Sequence, residues 1–168
     1  MVKFHLKRLV LPISLIFLSA GCSYKIIGGG ERAVYIMPVE NSTLNPQLDI
    51  YMSEELSRVF IRNPRFILAG PDKDNSIALK IKIEETDRQS LFYSSEEPPR
   101  TVIAGISVVA EVELIRKGES VLKEKLSESA AFPLTVAYNE EEVLKSLSEK
   151  LANKVYFWLL DKDEKGEF

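Results

Sequence analysis

Between residues 77 and 132, apolar and polar side chains alternate over long stretches, and this period constrains the fold more than any other feature of the chain. Ile77, Leu79, Ile81 and Ile83 alternate with Ala78, Lys80, Lys82 and Glu84. Successive side chains on a strand point to opposite faces, so this stretch predicts a strand with one apolar face and one partly basic face. It runs on towards Leu91. From Thr101 to Arg116 the pattern repeats: Val102, Ala104, Ile106, Val108, Ala110, Val112 and Leu114 share one face, and Ser107, Val109, Glu111 and Glu113 lie on the other. Lys117-Gly118 is a tight-turn signal, and Ser120 to Phe132 is the next strand. A meander of three long strands has one apolar face, which other elements must cover.

Two segments have the matching pattern. Leu48, Met52, Leu56, Val59 and Phe60 recur at helical spacing and predict an amphipathic helix over 46–62. Asn45 is its expected cap, Pro46 suits its first turn, and Asn63-Pro64 stops it. In the second segment Asn139 is an N-cap with Glu142 three residues on, a capping box. Val143, Leu147, Leu151, Val155 and Trp158 form its stripe, widened by Leu144 and Leu159, and Trp158 reads as core packing. Residues 33–40 (AVYIMPVE) read as a first strand and 65–69 (RFILA) as a short one. The final DKDEKGEF, residues 161–168, reads as a solvated, frayed tail. The architecture that follows is an α+β, two-layer sandwich with both helices on one face of a mixed sheet. The other face is exposed or covered by a partner. Residues 86–101, with Phe92-Tyr93 and Pro98-Pro99, form an exposed hairpin tip, either a loop or a binding tip.

The first 21 residues read as a signal peptide. Lys3, Lys7 and Arg8 precede the apolar run Leu9–Leu18, and small residues lead to Cys22, the only cysteine of the 168 residues. An apolar run of about ten residues is too short to span a bilayer, which needs roughly 20. Ser19, Ala20 and Gly21 before Cys22 approximate a lipobox, with Leu18 one place earlier than the usual aliphatic position. The expectation is therefore a lipoprotein signal over 1–21 and a mature N-terminus at Cys22 carrying an N-acyl chain such as palmitate and an S-diacylglycerol. Several acyl chains at about 0.8 kcal/mol per buried methylene make a firm anchor. Residues 22–32, with Gly28-Gly29-Gly30, are the expected tether, 33–160 the domain and 161–168 the tail.

Loss of the signal takes away His5, Lys3, Lys7 and Arg8, leaving about 19 basic against 25 acidic residues. The mature chain then has no histidine and no free thiol. Ser-His-Asp and Cys-His catalysis, and zinc sites that use histidine, are excluded. No pair of carboxylates stands out as an acid–base couple, so an enzyme is not expected, and no cofactor or metal is implied. A net charge of −3 for the whole chain gives no footprint for nucleic acid.

Four pieces in order resemble the LPS-assembly lipoprotein family, LptE (RlpB). They are Gly21-Cys22-Ser23-Tyr24, the turn Pro38-Val39-Glu40-Asn41-Ser42-Thr43, the helix start Pro46-Gln47-Leu48-Asp49, and the long hairpin with its terminal EEEVLKSLSEKLANKVYFWLL helix. Valine stands at 39 where the family favours phenylalanine. The resemblance covers residues 21–160 and implies a two-helix, four-stranded sandwich. It also implies a non-catalytic role, as a lipoprotein at the periplasmic side of the outer membrane that plugs the LptD β-barrel and assists LPS transport and assembly. Basic side chains near apolar surface suit the phosphates and acyl chains of LPS. The candidates are Lys80, Lys82, Arg88 and Arg100. The alternative reading is an outer-membrane lipoprotein that activates a peptidoglycan synthase. Only about ten residues separate Cys22 from the first strand, a reach of roughly 35 Å, which favours a partner at membrane level. Ser23 rather than aspartate after Cys22 fits sorting to the outer membrane.

Overall fold

A computed structural model describes residues 32–71, 76–98, 100–134 and 139–168. The expected signal peptide, Cys22 and the glycine tether lie outside the described residues. The chain order is β1 (Arg32–Ile36), β2 (Glu40–Asn41), α1 (Leu48–Arg62), β3 (Phe66–Leu68), β4 (Ile77–Tyr93), β5 (Thr101–Arg116), β6 (Glu119–Pro133) and α2 (Glu140–Glu164). The sheet order is β3-β1-β4-β5-β6, with β2 also paired to β4. β1 runs parallel to both neighbours, whereas β4, β5 and β6 form an antiparallel meander.

The α+β sandwich expected from periodicity is present, but among the described residues the sheet has six strands rather than four. One reason is Pro38. β1 and β2 both pair in parallel with β4, yet Ile36 to Glu40 is matched by Leu79 to Lys82, so the first strand has one residue too many. Proline has no N–H for the ladder, and the chain breaks there. Met37 and Ser42 resume the bonding on either side, donating to the carbonyls of Leu79 and Ile83 at 2.9 Å. The second reason is β3, which adds to the outer edge of β1 after the α1 crossover that parallel neighbours need.

Both helices lie on the apolar face. Leu79, Ile81, Ile83, Ala110, Val112 and Leu114 are buried beneath Leu48, Met52 and Leu56 of α1 and Leu147, Leu151 and Val155 of α2. Phe60, Phe66 and Tyr156 meet edge to face or tilted, with ring centroids 5.3–6.1 Å apart, where β3 joins the helices. Trp158 is core, as its place in the stripe implies, and its Nε1 donates to Glu124 Oε2 at 2.6 Å.

The helix starts differ in kind. Asn139 caps α2, accepting from the Glu141 N–H at 3.1 Å. Asn45 does not cap α1, which begins at Leu48 without a side-chain cap. Its Nδ2 donates instead to Thr86 Oγ1 on β4 at 3.1 Å, a tertiary contact that turns the side chain towards the sheet, whereas a cap would have used its Oδ1 as an acceptor.

The tail is not frayed. α2 continues to Glu164, and Gly166 at φ 68° closes it. The Gly166 N–H donates to the Asp163 carbonyl and the Glu167 N–H to the Lys162 carbonyl, both at 3.1 Å, the two bonds of a Schellman ending. Arg32 Nη1 then donates to the Phe168 carbonyl oxygen at 2.7 Å while its guanidinium lies over the Phe168 ring. The same Nη1 is 2.8 Å from Asp163 Oδ1, close enough for an ion pair but without hydrogen-bond alignment, and Arg65 Nη2 donates to Oδ2 at 3.2 Å.

Candidate functional site: the open sheet face and the hairpin tip

The sheet face away from the helices carries the side chains of Lys80 and Lys82 from β4, Glu111 and Glu113 from β5, and Lys123 and Lys125 from β6. The register sets Lys80 opposite Glu113 and Glu113 opposite Lys123, and sets Lys82 opposite Glu111 and Glu111 opposite Lys125. Opposite charges facing each other across strands favour the pairing. Lys123 reaches Glu111 at 2.8 Å, Lys125 reaches Glu84 at 2.6 Å, and Lys80 reaches Glu40 at 3.1 Å. The hydrogen bond that Lys125 donates to Glu84 holds the Glu84 carboxyl below the usual carboxylate range and raises the Lys125 ammonium above its own. Read from sequence, β4 offers a basic face; folded, this face is a lattice of both signs.

Arg88 leaves this face altogether. From Ile83 to Glu85 the chain advances two residues while its partners advance from Ala110 to Val109, so Glu84 is the extra residue of a bulge. One inserted residue exchanges the two faces. Beyond it Thr86 and Arg88 lie opposite Val108 and Ile106, on the helix side, and Asp87 and Gln89 point to the open side. Arg88 Nη1 accordingly donates to Glu140 Oε2 at the start of α2, at 3.1 Å. Lys82 and Arg100 have no carboxylate at ion-pair distance among the described residues. The four candidate cations are therefore not one cluster: two sit in the lattice, one across the sheet, and Arg100 at the tip.

The strand ends just below the turn are apolar, while the turn itself carries the exposed Glu96 and Glu97. Phe92 and Tyr93 are 61% and 62% exposed, and Leu91, Val102 and Leu134 are also exposed. They are held on one ladder, with Phe92 opposite Ile103 and Leu134 donating to the Val102 carbonyl at 2.9 Å. The turn is tied by the Ser94 N–H to the Arg100 carbonyl at 2.7 Å and the Arg100 N–H to Ser94 Oγ at 3.1 Å. Just below, a shallow hollow of about 200 Å3 opens on the outer face between Asp87, Leu91, Gly105 and Ala131. Gly105 permits it, because a Cβ there would come within 3.2 Å of Leu91 Cδ1. Sequence reading pointed to Phe92-Tyr93 but not to Leu91 or Leu134, and it set Val102 on the apolar face, where the structure leaves it 40% exposed.

Among the described residues no group of three His, Cys, Asp or Glu could hold a metal ion, and no helix is long and apolar enough to cross a membrane.

No family model and no curated protein matches the sequence. Solved structures do match. Rare lipoprotein B from Shewanella oneidensis superposes with a TM-score of 0.55 over 80% of this chain and 99% of its own, at 11% identity. The chain has the rare lipoprotein B fold. Protein XCC0632 of Xanthomonas campestris, from the DUF330 family, shares that fold at TM-score 0.55 and 9% identity, over 82% of this chain and 89% of its own. The hypothetical protein CT253 of Chlamydia trachomatis does so at 0.54 and 13%, over 77% and 95%. The rare lipoprotein B fold is thus reached at identities near 10%, where a sandwich can be kept by buried periodicity alone while its surface changes.

Proposed function

We propose that this chain is an outer-membrane lipoprotein, anchored through Cys22 on the periplasmic side, that plugs an LptD-type β-barrel and assists LPS transport and insertion. The observation that carries this reading is the placement of the two ends of the sheet. β1 is parallel to β4, with Val34 opposite Ile77, so the chain enters the domain at Arg32 beside the start of β4. The apolar cluster at Tyr93 lies at the far end of this 17-residue strand, about 55 Å away at 3.4 Å per residue. A bilayer with its headgroups is about 40–45 Å thick. A domain tethered at one end and tipped with aromatic side chains at the other has the length to reach through a barrel from the periplasmic leaflet.

The role asks for binding surfaces rather than catalysis, in keeping with a mature chain without histidine. LPS contact then falls to Arg100 at the tip, with Lys82 next, because Lys80 and Arg88 are already paired with Glu40 and Glu140. A photoreactive phenylalanine analogue at Phe92, irradiated in cells, tests the reading. It is expected to trap a large outer-membrane β-barrel protein. Adducts with a peptidoglycan synthase and none with a barrel would overturn it in favour of the alternative.

A further inference from the structure

The outer face of α1 has a feature that the barrel reading does not use. At 3.6 residues per turn, Ile50, Glu54, Ser57 and Ile61 lie within one narrow crest, directly opposite the buried Met52, Leu56 and Val59. Ile50 is 53% exposed and Ile61 is 73% exposed. Ser53 and Ser57 donate their hydroxyls to the helix's own carbonyls, those of Asp49 at 2.6 Å and Ser53 at 2.9 Å, so they ask for no outside partner. Ser57, Arg58 and Ile61 line a shallow open trough along this crest.

The order of residues along the crest names an occupant. Reversed end for end, Ile50 falls on Ile61 and Glu54 on Ser57, with Arg58 beside it. An antiparallel second α1 therefore sets isoleucine against isoleucine at both ends. It also sets Glu54 of each copy beside Arg58 of the other at both sides of the two-fold axis. A surface that is complementary to itself under a two-fold rotation is what an isologous dimer requires. Arg58 already contacts Glu55 of its own helix, but a guanidinium has five donors and can serve both carboxylates.

We propose that two copies of this chain pair through their α1 helices, antiparallel, with Ile50 against Ile61 and Glu54 against Arg58. The pairing goes beyond the barrel role and does not depend on it. A crossing of two 15-residue helices buries less than the roughly 1,200 Å2 of a standard interface, so the dimer is weak in dilute solution. Confinement to one membrane surface raises the effective concentration.

The test uses the full chain in lipid vesicles, with Ser57→Cys near the two-fold axis. At the roughly 8–10 Å axis separation of packed helices the two Cα atoms come to about 6–7 Å, at the upper end of the 4.4–6.8 Å that a disulfide spans. Mild oxidation is expected to give at least tenfold more disulfide dimer than Lys150→Cys on the exposed face of α2, with the unsubstituted chain as blank. In the Ser57→Cys background, Glu54→Arg alone and Arg58→Glu alone each lower the yield about fivefold or more. Mixing the two restores it, because each then faces the opposite charge. The proposal is overturned if Ser57→Cys gives no more dimer than Lys150→Cys, or if the mixture crosslinks no better than either variant alone. Neither outcome bears on a barrel adduct at Phe92.

Discussion

Lys117 holds φ at 54° and Gly118 at 84° in the two-residue turn between β5 and β6. Both values belong to the left-handed region, which costs an ordinary side chain about 1 kcal/mol and suits Asn and Gly. Lys117→Asn is therefore expected to stabilise the protein by about 0.5–1 kcal/mol, and Gly118→Val to destabilise it by at least about 1 kcal/mol, both measured by urea denaturation. At the other end of the molecule Asp163, with its side chain 7% exposed, sits between Arg32 and Arg65. Asp163→Ala leaves two guanidinium groups without their carboxylate, and a loss of about 2–3 kcal/mol is expected in the same assay. Glu84 supplies the pH dependence. Its folded value is lowered from 4.5 by the Lys125 hydrogen bond, so its contribution is present above that ordinary value and is lost as pH falls through the lowered one. The pair is exposed and its effect is small. Between pH 5 and pH 3 the Lys125→Met variant is expected to lose less stability than the parent chain, and an equal loss in both would show that the pair does not contribute.

Among the elements, β4 and β6 show how strands of 15 residues or more are managed. β4 bulges at Glu84, which sends its outer half to the opposite facing, and again at Leu91. β6 is an edge. Leu134 points its N–H at β5, so alternate residues from Pro133 back to Lys123 point theirs outward. Pro133, with no N–H, falls on an outward position and costs the ladder nothing. Lys154 blocks the outward carbonyl of Ser127 at 2.7 Å and pairs with Glu128, a charged cover on an edge that could otherwise recruit another strand. Much of this element pattern was legible beforehand. The faces of β5, the turn at 117–118, the N-cap at Asn139 and the core role of Trp158 follow from local chemistry. The Schellman ending of α2 also had a signal, Lys165-Gly166 after an apolar stripe. Asn45 shows the limit, since a good capping residue was taken by Thr86, 41 positions away.

At the scale of the molecule, the tip and the lattice are expected to respond differently to mutation. Phe92→Ala with Tyr93→Ala removes side chains that are mostly solvated, so thermal stability is expected to change by less than about 1 kcal/mol. Recovery of a barrel partner in pull-downs from outer membranes is expected to fall at least tenfold, and undiminished recovery would remove the tip from the contact. Arg100→Glu is expected to weaken LPS binding more than Lys80→Glu with Lys82→Glu, because Lys80 is already paired with Glu40 and Lys82 stands opposite Glu111 in the register. The reverse order would return the contact to the sheet face. The sequence by itself determined the long alternating strands, the two amphipathic stripes and most of the residues they bury. Period, capping and turn residues act over a few positions, so their reading needs no distant partner. Only the tertiary structure decided that Arg88 crosses the sheet, that the tail is captured by Arg32, and that the chain enters at the end opposite the aromatic tip. Each of these depends on pairing between residues tens of positions apart, where a single inserted residue reverses a face, and no local pattern encodes it.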